Sequence, residues 1–273
     1  MDIVAVICIR DDQEYLDNCL NYLIGNNVSY AIIDNGLTED SRALLEQPRF
    51  RKGLVSYSKL PFEGAFELQR QLEKKEEIIA TLGADWVIHH DVDEIMHSYH
   101  PNETLSQAIE RVHHDGCNVI AFDEFVFLPI EEEYQATNSG LPSLNWYYFH
   151  QRRTPDLMRA RKHGCGLTTL LPMTDDGAGG HMLKGDIHLS NESFALRHYI
   201  VRNRKHALKK YVSRRFSTVE VIYGWHGDRI GYPPEAYDFP SCNLLHRLNS
   251  PESREFDRSN PQKTHYWEWS TAP

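Results

Sequence analysis

The sequence predicts an α/β protein: a mostly parallel sheet flanked by helices, followed by an irregular C-terminal elaboration. Three observations support this class. Across the first half, short apolar runs rich in β-branched residues alternate with segments of helical periodicity, the pattern of β-α-β units. These runs are nearly unbroken rather than alternating, as expected of strands covered on both faces. Three of them end in polar or acidic clusters: Arg10-Asp11-Asp12, Asp34-Asn35 and Asp91-Val92-Asp93-Glu94. Ligands of open α/β sheets sit beyond the carboxyl ends of the strands, so these clusters mark where chemistry is expected.

The elements follow in order. DIVAVICI (2–9) reads as a buried strand. Residues 12–26 read as a helix, because Tyr15, Leu16, Cys19, Leu20, Tyr22 and Leu23 recur at helical spacing. YAIIDNG (30–36) is a strand closed by an Asn35-Gly36 turn. A helix over 40–47, a strand over 53–58 and a long helix over 63–82, charged on one face, come next. DWVIHH (85–90) is a buried strand, 104–114 a helix with Asn102 or Thr104 as N-cap, and NVIAFDEFVFL (118–128) a further strand. Beyond residue 130 the chain is richer in Gly, Pro and polar clusters, including TDDGAGGH (174–181). Residues 194–216 read as helical and basic. A soft boundary near 130 therefore separates a nucleotide-binding-type half, 1–130, from an acceptor-side and C-terminal half, 131–273, within one continuous domain.

Bulk properties narrow the function classes. The 273 residues carry a formal charge of −10, from 29 Lys and Arg against 39 Asp and Glu. That balance disfavours non-specific binding to nucleic acid or anionic lipid, although a local basic patch leaves a nucleic-acid acceptor open. Five cysteines occur without a C-x-x-C spacing, as in a reduced, cytoplasmic protein. No stretch resembles a signal peptide or has the length of a membrane span.

WVIHHDVDEI (86–95) is the most informative segment. In an extended backbone Asp91 and Asp93 share a face. Two carboxylates there form a hard anionic oxygen site suited to Mn²⁺ or Mg²⁺, and such an ion takes phosphate oxygens in its open positions. Solvated turn residues, or the acidic first turn of a helix, are the ordinary alternative.

The opening VAVICIRDDQEYLDNCLNYLIGNNVSYAIIDNGLTEDS resembles the start of family-2-type glycosyltransferases: an apolar strand, a polar tip, a helix, then an apolar run into D-N-G-S-T-D. WVIHHDVDEI is similar to that family's D-x-D element, and LRHYIVRNRKHALKKY (196–211) to a late His-Tyr element in a subgroup. The likeness is good over residues 2–95, patchy over 96–215 and absent in the tail. It implies a GT-A fold and a nucleoside-diphosphate sugar as donor, with a hydroxyl-bearing acceptor. By carry-over, Arg10 lies by the nucleotide, Asp34 contacts the base, Asp91 reaches the ribose or the metal, Asp93 binds the metal and His198 is the late metal ligand. The chain departs from the pattern at Leu37, where Ser is usual, and it lacks a Q-x-x-R-W element. No Glu-Asp pair marks a base to take the acceptor's proton; Asp186, then Asp176 and Glu124, are the candidates.

Other features carry two readings each. His89 and His90 point to opposite faces of a strand, so at most one serves the site. His181 belongs either to an acceptor-side loop or to a simple turn. The basic run from Arg197 to Arg215 is either a solvated helix face or, in part, a set of diphosphate ligands. Arg159-Ala160-Arg161-Lys162 poses the same choice, with Arg161 as its donor-binding candidate. The aromatic clusters NWYYFH, GWHGD and HYWEW are core, or an acceptor platform. A metal-dependent phosphoesterase or nucleotidyltransferase, and a non-catalytic binder of nucleotide sugar or carbohydrate, are the competing functions. The first lacks a second ligand cluster; neither a P-loop nor a G-x-G-x-x-G is present.

Overall fold

The computed structural model describes residues 1–10, 13–130, 144–151, 157–169, 180–223 and 227–269. The unbroken apolar runs become the centre of the sheet. β1 (Ile3–Ile9) is flanked in parallel by β2 (Ser29–Asp34) and β4 (Trp86–His90), and β3 (Leu54–Lys59) continues in parallel beyond β2. Both faces are covered. Ile3, Ala5, Ile7 and Ile9 join the cluster formed with α1 (Leu16–Gly25) and α5 (Leu105–His114), whereas Val4 and Val6 face Ile78 and Ile79 of α4 (Leu68–Ile79). Each such aliphatic side chain contributes roughly 1.5–3 kcal/mol on burial, which is why this strand has no polar positions until its end. Thr104 caps α5 with a full capping box, its hydroxyl on the Gln107 N–H and the Gln107 side chain on the Thr104 N–H. Two short helices, α2 (Glu39–Leu45) and α3 (Pro48–Arg51), fill the β2–β3 connection.

The second half extends the same sheet. β6 (Val119–Leu128) pairs antiparallel with β7 (Trp146–His150) over its last residues and with β8 (Leu157–Lys162) over its first. β8 in turn pairs antiparallel with β4 and so joins the two halves, which share one sheet across the boundary at 130. β9 (Thr168–Thr169) and β10 (Leu183–Lys184) form a separate small ribbon. β11 (Phe194–His198) runs parallel to β6 and antiparallel to β5 (Glu94–His97), the strand that follows the acidic turn.

β11 corrects the sequence expectation of a helix from 194. Strand partners on both of its edges override the helical spacing of the basic residues. The helical part starts only at α6 (Arg204–Ala207), capped by Asn203, and runs into a π-helical turn over Leu208–Val212. α7 (Thr218–Tyr223), the pair β12 (His246–Arg247) with β7, and α8 (Tyr266–Trp269) complete the described chain. Among the described residues no helix is long and apolar enough to cross a membrane.

Candidate functional site

The carboxyl ends of β1 and β4, the amino end of β5 and the carboxyl end of β11 open into one cleft. Asp91, Asp93, Glu94, Glu124 and His198 all line it. The acidic turn is thus where the strand-end rule puts a ligand site, and β11 is what brings His198 to it.

Each carboxylate of the turn has a basic partner. Asp91 Oδ1 lies 3.2 Å from Lys75 Nζ, and its Oδ2 accepts from Arg159 Nη2 at 2.9 Å. Asp93 Oδ2 accepts from Lys210 Nζ at 2.7 Å and lies 3.6 Å from His198 Nε2. Glu94, fully buried, takes Arg159 on one oxygen and the Asp91 backbone N–H on the other at 3.0 Å, so it closes the turn rather than facing solvent. Lys75, Arg159 and Lys210 are themselves only 4, 3 and 8% exposed. Cations buried to this degree require such partners.

Behind Asp93 stands a second layer. His198 Nδ1 is 2.7 Å from Glu124 Oε1, and His150 Nδ1 is 2.8 Å from Glu124 Oε2. A carboxylate only accepts, so both rings donate from Nδ1 and His198 Nε2 is directed at Asp93.

The charges explain the titration. Burial opposes ionisation of Asp91 and Asp93, but Lys75 and Arg159 beside the first, and Lys210 and His198 beside the second, hold both carboxyls well below the usual range. Burial also works against a charged His198, yet Asp93 and Glu124 raise its pKa well above that of a free imidazole. Burial pushes Glu94 up to about 7 against the pull of Arg159. The turn carries two firmly ionised acids and one poised near neutrality.

These side chains do not make a ready cage for Mn²⁺ or Mg²⁺. Among the described residues no three His, Cys, Asp or Glu groups converge as metal ligands. Both oxygens of Asp91 face cations, and the Asp93 oxygen nearest His198 already holds an ammonium.

The remaining sequence candidates fall as follows. Arg10 lines the cleft, its guanidinium 3.5 Å from the centroid of the Phe62 ring. Asp34 does not line it. Its Oδ1 accepts from the Gly36 and Leu37 N–H groups at 2.9 and 2.7 Å, and its Oδ2 takes Arg42 at 2.8 Å and the Tyr57 hydroxyl, so the carboxylate organises the turn after β2. Arg161 also lies off the cleft, its Nη2 donating to both oxygens of Glu76 at 2.8 Å; its strand neighbour Arg159, two positions nearer the acidic turn, occupies the cleft instead. Asp186, the first candidate for the base, is 90% exposed and lies outside the cleft. Asp176 lies outside the described residues. Glu124 lines the cleft with both oxygens held by histidines.

His89 faces the cleft and His90 turns into the core against Cys19, as opposite faces of a strand require. His181 and Trp267 also line the cleft, the latter packed on Tyr211 with Arg229 over both rings. The sequence reading missed Lys75, although its spacing from Leu72 and Ile79 puts it on the buried face of α4.

No family profile and no curated protein matches the chain. Among solved structures it is similar to S. aureus TarS 1-349, at 11% identity and a TM-score of 0.47 over 73% of this chain and 60% of that one. The complexes of TarS 1-349 with UDP-GlcNAc and with UDP give TM-scores of 0.48 at 11% identity, over 76% and 74% of this chain. The chain spans about 61% of each of those two structures.

Proposed function

We propose that the protein is a glycosyltransferase that takes a nucleoside-diphosphate sugar and passes the sugar to a hydroxyl acceptor. The observation that carries this reading is the acidic turn Asp91–Glu94 at the carboxyl end of β4, opening into a cleft whose wall holds Lys75, Arg159 and Lys210. Buried cations offer charge-assisted hydrogen bonds to a diphosphate. Asp91, with 41% of its side chain exposed, is the turn's most accessible carboxylate and can accept from donor hydroxyls. Arg10 supplies a further cation at the same mouth. The resemblance of residues 2–95 to family-2-type glycosyltransferases supports the same reading. Metal-dependent phosphoryl chemistry would need a second ligand cluster, and none converges among the described residues.

The test is a donor screen. UDP-GlcNAc, the ligand in one of the similar structures, is the first probe, followed by other uridine, guanosine, cytidine and adenosine diphosphate sugars, each with and without Mn²⁺. Binding by calorimetry, and release of the nucleoside diphosphate in the presence of candidate acceptors, support the reading. Binding without any release across acceptors would favour a non-catalytic binder.

A further inference from the structure

The sequence leads one to expect a divalent cation to relieve the repulsion in Asp91-Val92-Asp93-Glu94. The fold relieves it otherwise. The Asp93 oxygen nearest His198 carries the Lys210 ammonium at 2.7 Å, which also donates to the Ile200 carbonyl at 3.1 Å. A Mg²⁺ ion bound to that oxygen would sit about 2.1 Å from it, leaving two cations within a few ångströms of each other. Asp91, the other arm of a D-x-D site, faces Lys75 and Arg159. Lys210 also lies in the π-helical turn Leu208–Val212, an irregularity of helices often found at functional positions.

We infer that Lys210 does the work of the divalent cation here: its ammonium holds Asp93 in the resting protein and meets the donor's diphosphate when it binds. The inference rests on the glycosyltransferase reading above. In the transfer, the bond between sugar C1 and the β-phosphate oxygen breaks and its electron pair stays on the departing diphosphate. A bond forms between the acceptor oxygen and C1, and the acceptor's proton passes to a carboxylate or to water. The diphosphate therefore gains one negative charge as it leaves. Lys210 is placed to receive that charge, and Lys75 and Arg159 line the same cleft.

The experiment titrates UDP, GDP, CDP and ADP into the full chain by calorimetry, in EDTA and in Mn²⁺. At least one nucleotide is expected to bind in EDTA, with Mn²⁺ changing its Kd by less than about threefold, because the cationic wall is already built. Lys210→Gln is expected to weaken binding in EDTA by about tenfold or more, the worth of a hydrogen bond to a charged group, while Lys210→Arg keeps most of it. The Gln variant is also expected to become Mn²⁺-responsive, since Asp93 is then released beside His198. Binding by the wild type that requires Mn²⁺ overturns this inference and leaves the function standing, as does a Gln variant equal to wild type in EDTA. No binding of any nucleotide in either buffer overturns the function and this inference with it. The wild-type comparison of EDTA with Mn²⁺ can overturn the inference even if Lys210→Gln fails to fold.

Discussion

His198 and Glu124, on neighbouring parallel strands, meet through Nδ1 and Oε1 at 2.7 Å, and the second oxygen of Glu124 is taken by His150 at 2.8 Å. One buried carboxylate thus holds two imidazoles in fixed orientation. Glu124→Ala leaves both rings without their acceptor. The expected loss is about 3 kcal/mol of stability, the scale for breaking a buried ion pair from one side. Urea denaturation measures it, and a change below about 0.5 kcal/mol, the scale of an ordinary surface substitution, would show that the pairing is not formed in solution.

Asp93 and Lys210 give the second prediction. As a residue in a strand-end turn, Asp93 reads from sequence as replaceable by Ala without loss of fold. In the folded chain, however, Asp93→Ala removes the carboxylate that holds the buried Lys210 ammonium at 2.7 Å. The variant should lose about 3 kcal/mol by chemical denaturation, and the double variant Asp93→Ala, Lys210→Met should recover part of that loss. Equal stability of the single and double variants would argue against the pair.

His97 predicts a pH dependence. Burial, then the neighbouring Arg197, lower its pKa to about 3. Its Nδ1 donates to the Ser98 carbonyl at 2.9 Å and its Nε2 accepts from Arg197 Nε at 3.0 Å, so only the neutral ring fits. The unfolded chain therefore binds a proton more readily than the folded one. The stability contribution is complete above pH 6.5 and is lost as pH falls from there towards 3, by about 1.4 kcal/mol per pH unit at most. Thermal melts from pH 7 to 4 should show a steeper fall for wild type than for His97→Gln.

Gly180 sits at a φ of +81°, beside cleft-lining His181. A Cβ there would come within 2.7 Å of Leu72 Cδ2 on α4, the helix that carries Lys75. Gly180→Ala should cost about 2 kcal/mol from backbone strain together with the clash. Because the clash lands on α4, nucleotide affinity should fall as well. A variant of unchanged melting temperature would contradict the close approach.

The strand–helix alternation of residues 2–128 was legible because periodicity and burial are local properties of the chain. The uninterrupted apolar run of β1 could only be a strand covered on both faces, and it is. The acidic turn at Asp91–Glu94 was legible for the same reason: charge ends a buried strand. Residues 194–198 misled because basic residues at helical spacing say nothing of available strand partners, and those partners, β5 and β6, lie far back in the sequence.

What the sequence by itself determined is the class of fold and the end of the sheet at which the candidate site lies. The tertiary structure alone decided which charges meet there. Lys75, Arg159 and Lys210 stand 16, 68 and 117 positions from the carboxylates they hold. In sequence each reads as one more surface cation in a charged segment. Burying a cation costs several kcal/mol unless a carboxylate awaits it, and only the folded chain supplies that carboxylate.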